Sequence, residues 1–183
     1  VNWEDNNGVF TRKLFVSRPD NLVVLKFSSD EGASINTTLS LSKIIRHDVG
    51  RIKKFNLDDN FCIKKVESGT MDNGLYFKAW YERPWEFESR KSFKGYEGVV
   101  QVLRSDGKIE MDSDRLILRD ATDVLIVARI EPSDNMEESR VLEMSNALKS
   151  YDGTYDELLA VHKKIHKELF ERVSIDLDAS EED

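Results

Sequence analysis

The sequence predicts a mainly β fold, an antiparallel β-sandwich followed by a C-terminal helical linker. From Val9 to about Ile130, apolar and β-branched residues occur in short runs separated by turn residues. Many short strands at such spacing are typical of a sandwich or a barrel. From Pro132 onwards the apolar residues recur at helical intervals instead.

The predicted strands are divided by turn signals such as Asp72-Asn73-Gly74 and Ser105-Asp106-Gly107. In INTTLSL and GLYFKAW polar and apolar residues alternate, as expected for strands with one solvated face. The run DVLIVA is apolar on both faces, so it is predicted to be a central strand. The predicted strands in chain order are VFTRKLFV, NLVVLKFSS, SINTTLSL, NFCIKKV, GLYFKAWY, GVVQVLR, GKIEM, DRLILRD and DVLIVARI.

The first predicted helix lies within SDNMEESRVLEMSNALKSY. Its apolar residues recur every three or four positions, which would place them on one stripe. A break at Tyr151-Asp152-Gly153 ends this helix. The stripe comprises Met136, Val141, Leu142, Met144, Ala147 and Leu148.

The second predicted helix begins at Thr154, and Glu157 follows at the spacing of a capping box. The helix is amphipathic, and a short isolated helix is marginal in water, so it needs a surface to pack against. We expect it either to fold back onto the sandwich or to form a homodimer through this helix. Its apolar stripe comprises Leu158, Ile165, Leu169 and Val173, with Leu159 and Phe170 beside it.

Composition argues against several classes of function. The chain has 27 basic and 35 acidic residues and a formal net charge of −8, which argues against nucleic acid and anionic membranes as partners. It contains no apolar run long enough to span a membrane. The single cysteine, Cys62, cannot form a disulfide framework or a zinc–thiolate cluster within the chain. No phosphate loop, nucleophile elbow or metal triad is present, so no cofactor is predicted.

His162 and His166 lie one helical turn apart in the second helix. Such a pair can chelate a metal, but zinc sites need three or four protein ligands. An HExxH site would also need a glutamate where this chain has Lys163. The preferred interpretation is therefore two histidines along a packing face, without a metal.

The segment from Ala79 to Gly98 has an unusual density of aromatic residues for a connection between strands. Exposed tryptophan and tyrosine side chains stack on sugar faces, and neighbouring charged groups bind hydroxyls. The alternative, which we favour, is that these aromatic side chains pack onto the sheet. The candidate carbohydrate-binding residues are Trp80, Tyr81, Arg83, Trp85 and Glu86.

Three segments of the chain resemble, in the same order, segments of the N-terminal domain of glycoside hydrolase family 95. They are GVFTRKLFVSRPDNLVVLKFSSD (Gly8 to Asp30), GKIEMDSDRLILRDATDVLIVARI (Gly107 to Ile130) and YDELLAVHKKIHKELFERVSIDL (Tyr155 to Leu177). The resemblance implies a supersandwich in residues 1–131. It also implies that residues 132–183 form a helical linker leading to an (α/α)6 catalytic barrel.

Enzymes of that family remove α-L-fucosyl or α-L-galactosyl residues, and their catalytic residues belong to the barrel. The resemblance therefore implies a non-catalytic module of a fucosidase-like parent enzyme, which is extracellular or periplasmic. The expected partners are the barrel of the same parent chain and a fucosylated or galactosylated glycan. An autonomous carbohydrate-binding module is the alternative.

The family usually has further strands before the first matching segment, whereas this chain begins at Val1. We therefore expect one exposed edge in the sandwich.

Overall fold

The strands form two antiparallel sheets, which confirms the predicted β-sandwich. The computed structural model describes residues 1–41, 63–81 and 93–172. Within these ranges the strands are β1 (Asn2–Asp5), β2 (Gly8–Ser17), β3 (Leu22–Ser29), β4 (Ile35–Ser40), β5 (Ile63–Met71), β6 (Gly74–Tyr81), β7 (Gly95–Ser105), β8 (Lys108–Asp112), β9 (Arg115–Ala121) and β10 (Asp123–Ser133). The helices are α1 (Val141–Lys149) and α2 (Tyr155–Phe170).

The larger sheet has the strand order β1-β2-β3-β10-β7-β6-β5, so β10 lies at its centre as the sequence predicts. Strand β10 is apolar on both faces because each face packs against a separate layer. It continues to Ser133, two residues beyond the predicted division between sandwich and linker at 131. Asn73 turns the β5–β6 hairpin in the left-handed region, at φ 56°, as expected for asparagine in a tight turn.

The smaller sheet has the order β4-β9-β8 and packs on one face of the larger sheet. Leu116 and Leu118 of β9 are fully buried there, against Val124 and Ile126 of β10. This inter-sheet core also contains Phe10, Ala33, Ile35, Leu75, Val102 and Ala121.

The opposite face of the larger sheet is covered by the two helices. Val141, Met144 and Leu148 of α1 are buried against residues of β3, β7 and β10. The predicted stripe is wrong at three positions, of which Ala147 is exposed on the helix surface. Met136 precedes the helix, although its sulfur packs close to Gly95, and Leu142 is 66% exposed because it points away from the sheet.

Helix α2 folds back onto the sandwich over its first part only. The capping box is confirmed, because the Thr154 side chain accepts a hydrogen bond from the Glu157 N–H and the Glu157 carboxylate accepts one from the Thr154 N–H. Tyr155 and Leu158 are buried in the helix-side core. Further along, Phe170 is 71% exposed, so the second part of the apolar stripe lacks a cover in the described structure. None of the described helices is long and apolar enough to cross a membrane.

Strands β1 and β2 form one side of the larger sheet, and β1 is the shorter of the two. Strand β1 pairs with β2 only over the residues from Gly8 to Thr11. Next to this pairing, the Val1 ammonium donates a hydrogen bond to the Arg12 carbonyl, and the Val1 carbonyl accepts one from the Arg12 N–H. Beyond that point, among the described strands, β2 pairs only with β3.

Asp106 joins the β7–β8 turn to the start of β10. Its carboxylate accepts hydrogen bonds from the Thr122 hydroxyl at 2.5 Å, the Thr122 N–H at 2.8 Å and the Asp123 N–H at 3.0 Å. These bonds, chiefly the one from the Thr122 hydroxyl, lower the pKa of Asp106 from 3.8 to about 2.

The stabilisation from Asp106 is expected to depend on pH. Because the folded-state pKa is lowered, the contribution is present above the unfolded pKa near 3.8 and is lost as the pH falls towards about 2. Asp106→Asn should cost about 1 kcal/mol near pH 7, a discounted value because the carboxylate is exposed. Urea unfolding of both proteins between pH 2 and pH 7 measures the difference, which should shrink below pH 4. A difference that stays constant down to pH 2 would contradict this assignment.

Candidate functional site

Two of the predicted sugar-binding residues lie side by side at the end of β6 but point to opposite faces of the sheet. Trp80 is opposite Gly95 on the helix face, and Tyr81 follows Ala79 on the inter-sheet face. Successive side chains of a strand alternate between faces, so these two cannot form one stacking platform. Arg83, Trp85 and Glu86 lie outside the described residues.

Tyr81 belongs to an aromatic cluster on the inter-sheet face. The Tyr96 ring lies 5.4 Å, between centroids, from both the Tyr81 and the Phe77 ring. The Phe77 ring lies close to Gly98, where any side chain would overlap it. The glycine is thus required by the close approach of Phe77 to the neighbouring strand.

This cluster borders an apolar cavity of about 280 Å³, as the described residues show it. Ile130 and Val66, which line it, are also partly exposed to solvent. Small-molecule sites in proteins are commonly concave and mostly apolar, with aromatic walls and a few hydroxyl groups, as here. The remaining lining residues are Leu41, Ile63, Ser68, Phe77, Ala79 and Tyr96.

Trp80 has a different environment on the helix face. The Lys65 ammonium lies 4.5 Å from the centroid of the Trp80 ring, a cation–π contact. Glu67 pairs with Lys65 at 3.4 Å and with Lys78 at 3.7 Å. Both faces of the β6 end therefore combine aromatic rings with polar groups, but each face forms a separate surface.

His162 and His166 belong to a row of ring contacts that runs along α2 from Phe15 to Phe170. The His162 ring lies 5.2 Å from the Phe15 ring and 5.0 Å from the His166 ring, which in turn lies 5.3 Å from Phe170. Within residues 1–41, 63–81 and 93–172, no group of three or more potential ligands is placed to hold a metal ion.

Glu97 is a buried position that the sequence pattern did not single out. It is 1% exposed on β7, and its carboxylate accepts hydrogen bonds from the Ser139 hydroxyl at 2.7 Å and the Arg140 N–H at 2.8 Å. Arg140 also pairs with Glu131 of β10 at 2.5 Å. These contacts fix the start of α1 to the sheet. The only charged residue in the run GYEGVVQV, Glu97, could have indicated this position.

These features define a class of protein: a two-sheet sandwich domain with C-terminal helices packed on the outer face of its larger sheet. Residues 1–137 match the N-terminal domain of glycosyl hydrolase family 65. The match covers most of the chain, which therefore belongs to this family of N-terminal domains.

The fold is also similar to that of a human-microbiome protein provisionally assigned as a kojibiose phosphorylase, with a TM-score of 0.51 and 12% sequence identity over 92% of this chain. This chain spans 22% of that protein's length. No curated protein matches the sequence.

Proposed function

We propose that this domain is the non-catalytic N-terminal module of a fucosidase-like glycoside hydrolase, and that it supports an (α/α)6 catalytic barrel in the same parent protein. The observation that supports the module role is the match of residues 1–137 to the N-terminal domain of glycosyl hydrolase family 65. The three segments that resemble family 95 favour a substrate with α-L-fucosyl or α-L-galactosyl groups. In keeping with that resemblance, we place the parent protein outside the cytoplasm, in the periplasm or the extracellular space.

The structure suits a supporting role. The Glu97 and Arg140 contacts hold α1 to the sheet, so the helices and the sandwich form one packed unit. Helix α2 then presents an uncovered apolar side, including Leu169 and Phe170, that a following domain could bury.

The length of the parent gene tests this proposal directly. An open reading frame several times longer than 183 codons, with a predicted helical barrel after Asp183, supports it. A stop codon immediately after Asp183 contradicts it, because no catalytic domain would then share the chain.

A homodimer through α2 is a second way to cover the same apolar side. In that case sedimentation of residues 1–183 should show a dimer that increases with concentration and that Leu169→Asp dissociates. The exposed Leu142 on α1 offers the control, because Leu142→Asp should leave the dimer intact. If residues 1–183 are monomeric at all concentrations, a following domain is the preferred partner for the apolar side of α2.

An autonomous carbohydrate-binding module remains the second candidate function. The partly exposed Trp80 and Tyr81, which belong to the aromatic segment from Ala79 to Gly98, favour it. If Trp85 stacks on a sugar, Trp85→Ala should abolish the heat of binding to fucosylated glycans in calorimetry without changing the circular dichroism. Trp3→Ala is the control, since Trp3 stacks on Phe10 near the opposite edge of the sheet. No heat with any glycan in the unmodified chain rejects this function.

A further inference from the structure

Strand β8 is an edge of the smaller sheet. It pairs with β9 on one side, and among the described residues no strand pairs with it on the other side. Asp112 and Arg115 close the two-residue turn between these strands, and the end residues of such a turn are hydrogen-bonded to each other. Hydrogen-bonded and non-hydrogen-bonded pairs then alternate along the strands. The N–H and C=O groups of Ile109 and Met111 therefore point away from β9, towards the open edge.

The apolar side chains of β8 lie on the face that turns towards the larger sheet. Ile109 pairs with Leu118 of β9 and packs on the inter-sheet core. Met111 pairs with Leu116, which is fully buried, but is itself 56% exposed. The apolar face of the smaller sheet therefore continues past the inter-sheet core to the open edge.

An open cavity of about 470 Å³ lies beside Ile109. Its apolar wall consists of Ile109, Val102 and Leu103. The carboxylates of Asp106 and Asp123, which also line it, already have partners in the same chain. A methionine side chain is long and flexible, so it suits an irregular space of this kind.

The sequence of β8, KIEMD, is complementary to itself when two copies pair antiparallel about Glu110. This register sets Ile109 of one copy opposite Met111 of the other. It also sets Lys108 opposite Asp112, on the outer face of the sheet. Apolar side chains then meet apolar ones and opposite charges meet, and both kinds of cross-strand pair are stabilising.

The unfavourable pair in this register is Glu110 with its own copy, at the two-fold axis. Like charges directly opposite each other are destabilising. Each Glu110 carboxylate, however, lies 3.2 Å from the Arg119 guanidinium of its own chain, which offsets its charge. The repulsion at this pair is therefore small beside the favourable pairs on either side of it.

We propose that two copies of this chain pair antiparallel through their β8 edges, about a two-fold axis at Glu110. The two smaller sheets then form one continuous sheet, by the addition of a strand to a sheet edge. Ile109 of each copy exchanges backbone hydrogen bonds with Met111 of the other. Each Met111 side chain packs into the cavity beside Ile109 of the second copy. The contact is formed by described strands alone, so it does not depend on the proposed function.

Sedimentation of residues 1–183 carrying Leu169→Asp is the first test, because this change removes the alternative contact through α2. The chain should still form a dimer that increases with concentration. Met111→Pro removes an N–H that β9 does not use, so it should weaken the dimer at least about tenfold without changing the circular dichroism. A chain that stays monomeric up to about 1 mM, or a dimer that Met111→Pro leaves intact, overturns the proposal.

Charge reversal in the same background tests the register. Lys108→Asp and Asp112→Lys each set like charges opposite one another on both sides of the two-fold axis, so either variant alone should dimerise at least about tenfold more weakly. An equimolar mixture of the two variants should dimerise as tightly as the unmodified pair, because opposite charges then meet again. Glu138→Lys, an exposed charge reversal before α1, is the control and should leave the dimer unchanged. A mixture that stays monomeric, or single variants that dimerise normally, overturns the pairing of two β8 edges.

Discussion

Glu97→Ala is expected to destabilise the domain by about 3 kcal/mol, because each hydrogen bond to a charged group contributes about 1.5–3 kcal/mol. The Glu97 carboxylate is buried and accepts bonds from the Ser139 hydroxyl and the Arg140 N–H. Without it, the Arg140 N–H at the N-cap of α1 loses its partner inside the protein, and the Arg140 side chain does not cap the helix in its place. Urea unfolding followed by circular dichroism measures the loss.

Two control variants make this result specific. Glu97→Gln keeps an oxygen acceptor at the same position and should cost less than half as much. Glu143→Ala removes an exposed carboxylate that pairs with the Arg140 side chain at 3.2 Å and should have a small effect. If Glu97→Ala unfolds at the same urea concentration as the unmodified chain, the carboxylate does not anchor α1.

Leu148→Asp is expected to destabilise the domain by at least about 4 kcal/mol, the largest effect of a single change on the helix side. Leu148 is 2% exposed and packs in the core that joins α1 to the larger sheet. The substitution removes that packing and places an unpaired carboxylate in an apolar site. For a domain with a typical stability of about 5–15 kcal/mol, the loss would detach α1 or unfold the chain.

Leu142→Asp is the matched control on the same helix. Leu142 is 66% exposed, so the same chemical change should alter the unfolding free energy by no more than about 0.5 kcal/mol. Limited proteolysis separates detachment from unfolding, because a detached α1 is cleaved near Lys149 while the sheet stays intact. Equal stability of the two variants would show that α1 does not pack on the sheet through the Leu148 side.

The sequence predicts the central strand and the second helix well because both signals are local. The run DVLIVA is apolar on both faces, and β10 has a packed layer on each face. Thr154 and Glu157 are three residues apart, and they form the capping box on their own. Neither feature requires knowledge of distant residues.

The start of α1 could not be predicted in the same way. Arg140 offers no side-chain cap, and the group that binds its N–H is Glu97, on a strand 43 residues away in sequence. The sequence pattern therefore extends the apolar stripe back to Met136, although the helix begins at Val141. Only the tertiary structure brings the carboxylate to the helix terminus.

The candidate sugar site has one feature that the sequence could have shown and one that it could not. Trp80 and Tyr81 are adjacent in a strand, and the alternation of side chains could have separated them from the start. The apolar cavity beside Tyr96 could not be foreseen, because its lining residues come from segments that are distant in sequence, such as Leu41, Val66 and Ile130.

The measurement that tests the central proposal most directly is the release of fucose from α-L-fucosyl substrates by the parent protein and by residues 1–183, compared at equal concentration. The proposed function predicts hydrolysis by the parent protein and none by the isolated module, because catalysis belongs to the barrel. Hydrolysis by residues 1–183 alone would contradict a non-catalytic role. A folded parent protein that releases neither fucose nor galactose from the corresponding α-L-glycosides would contradict the fucosidase-like assignment.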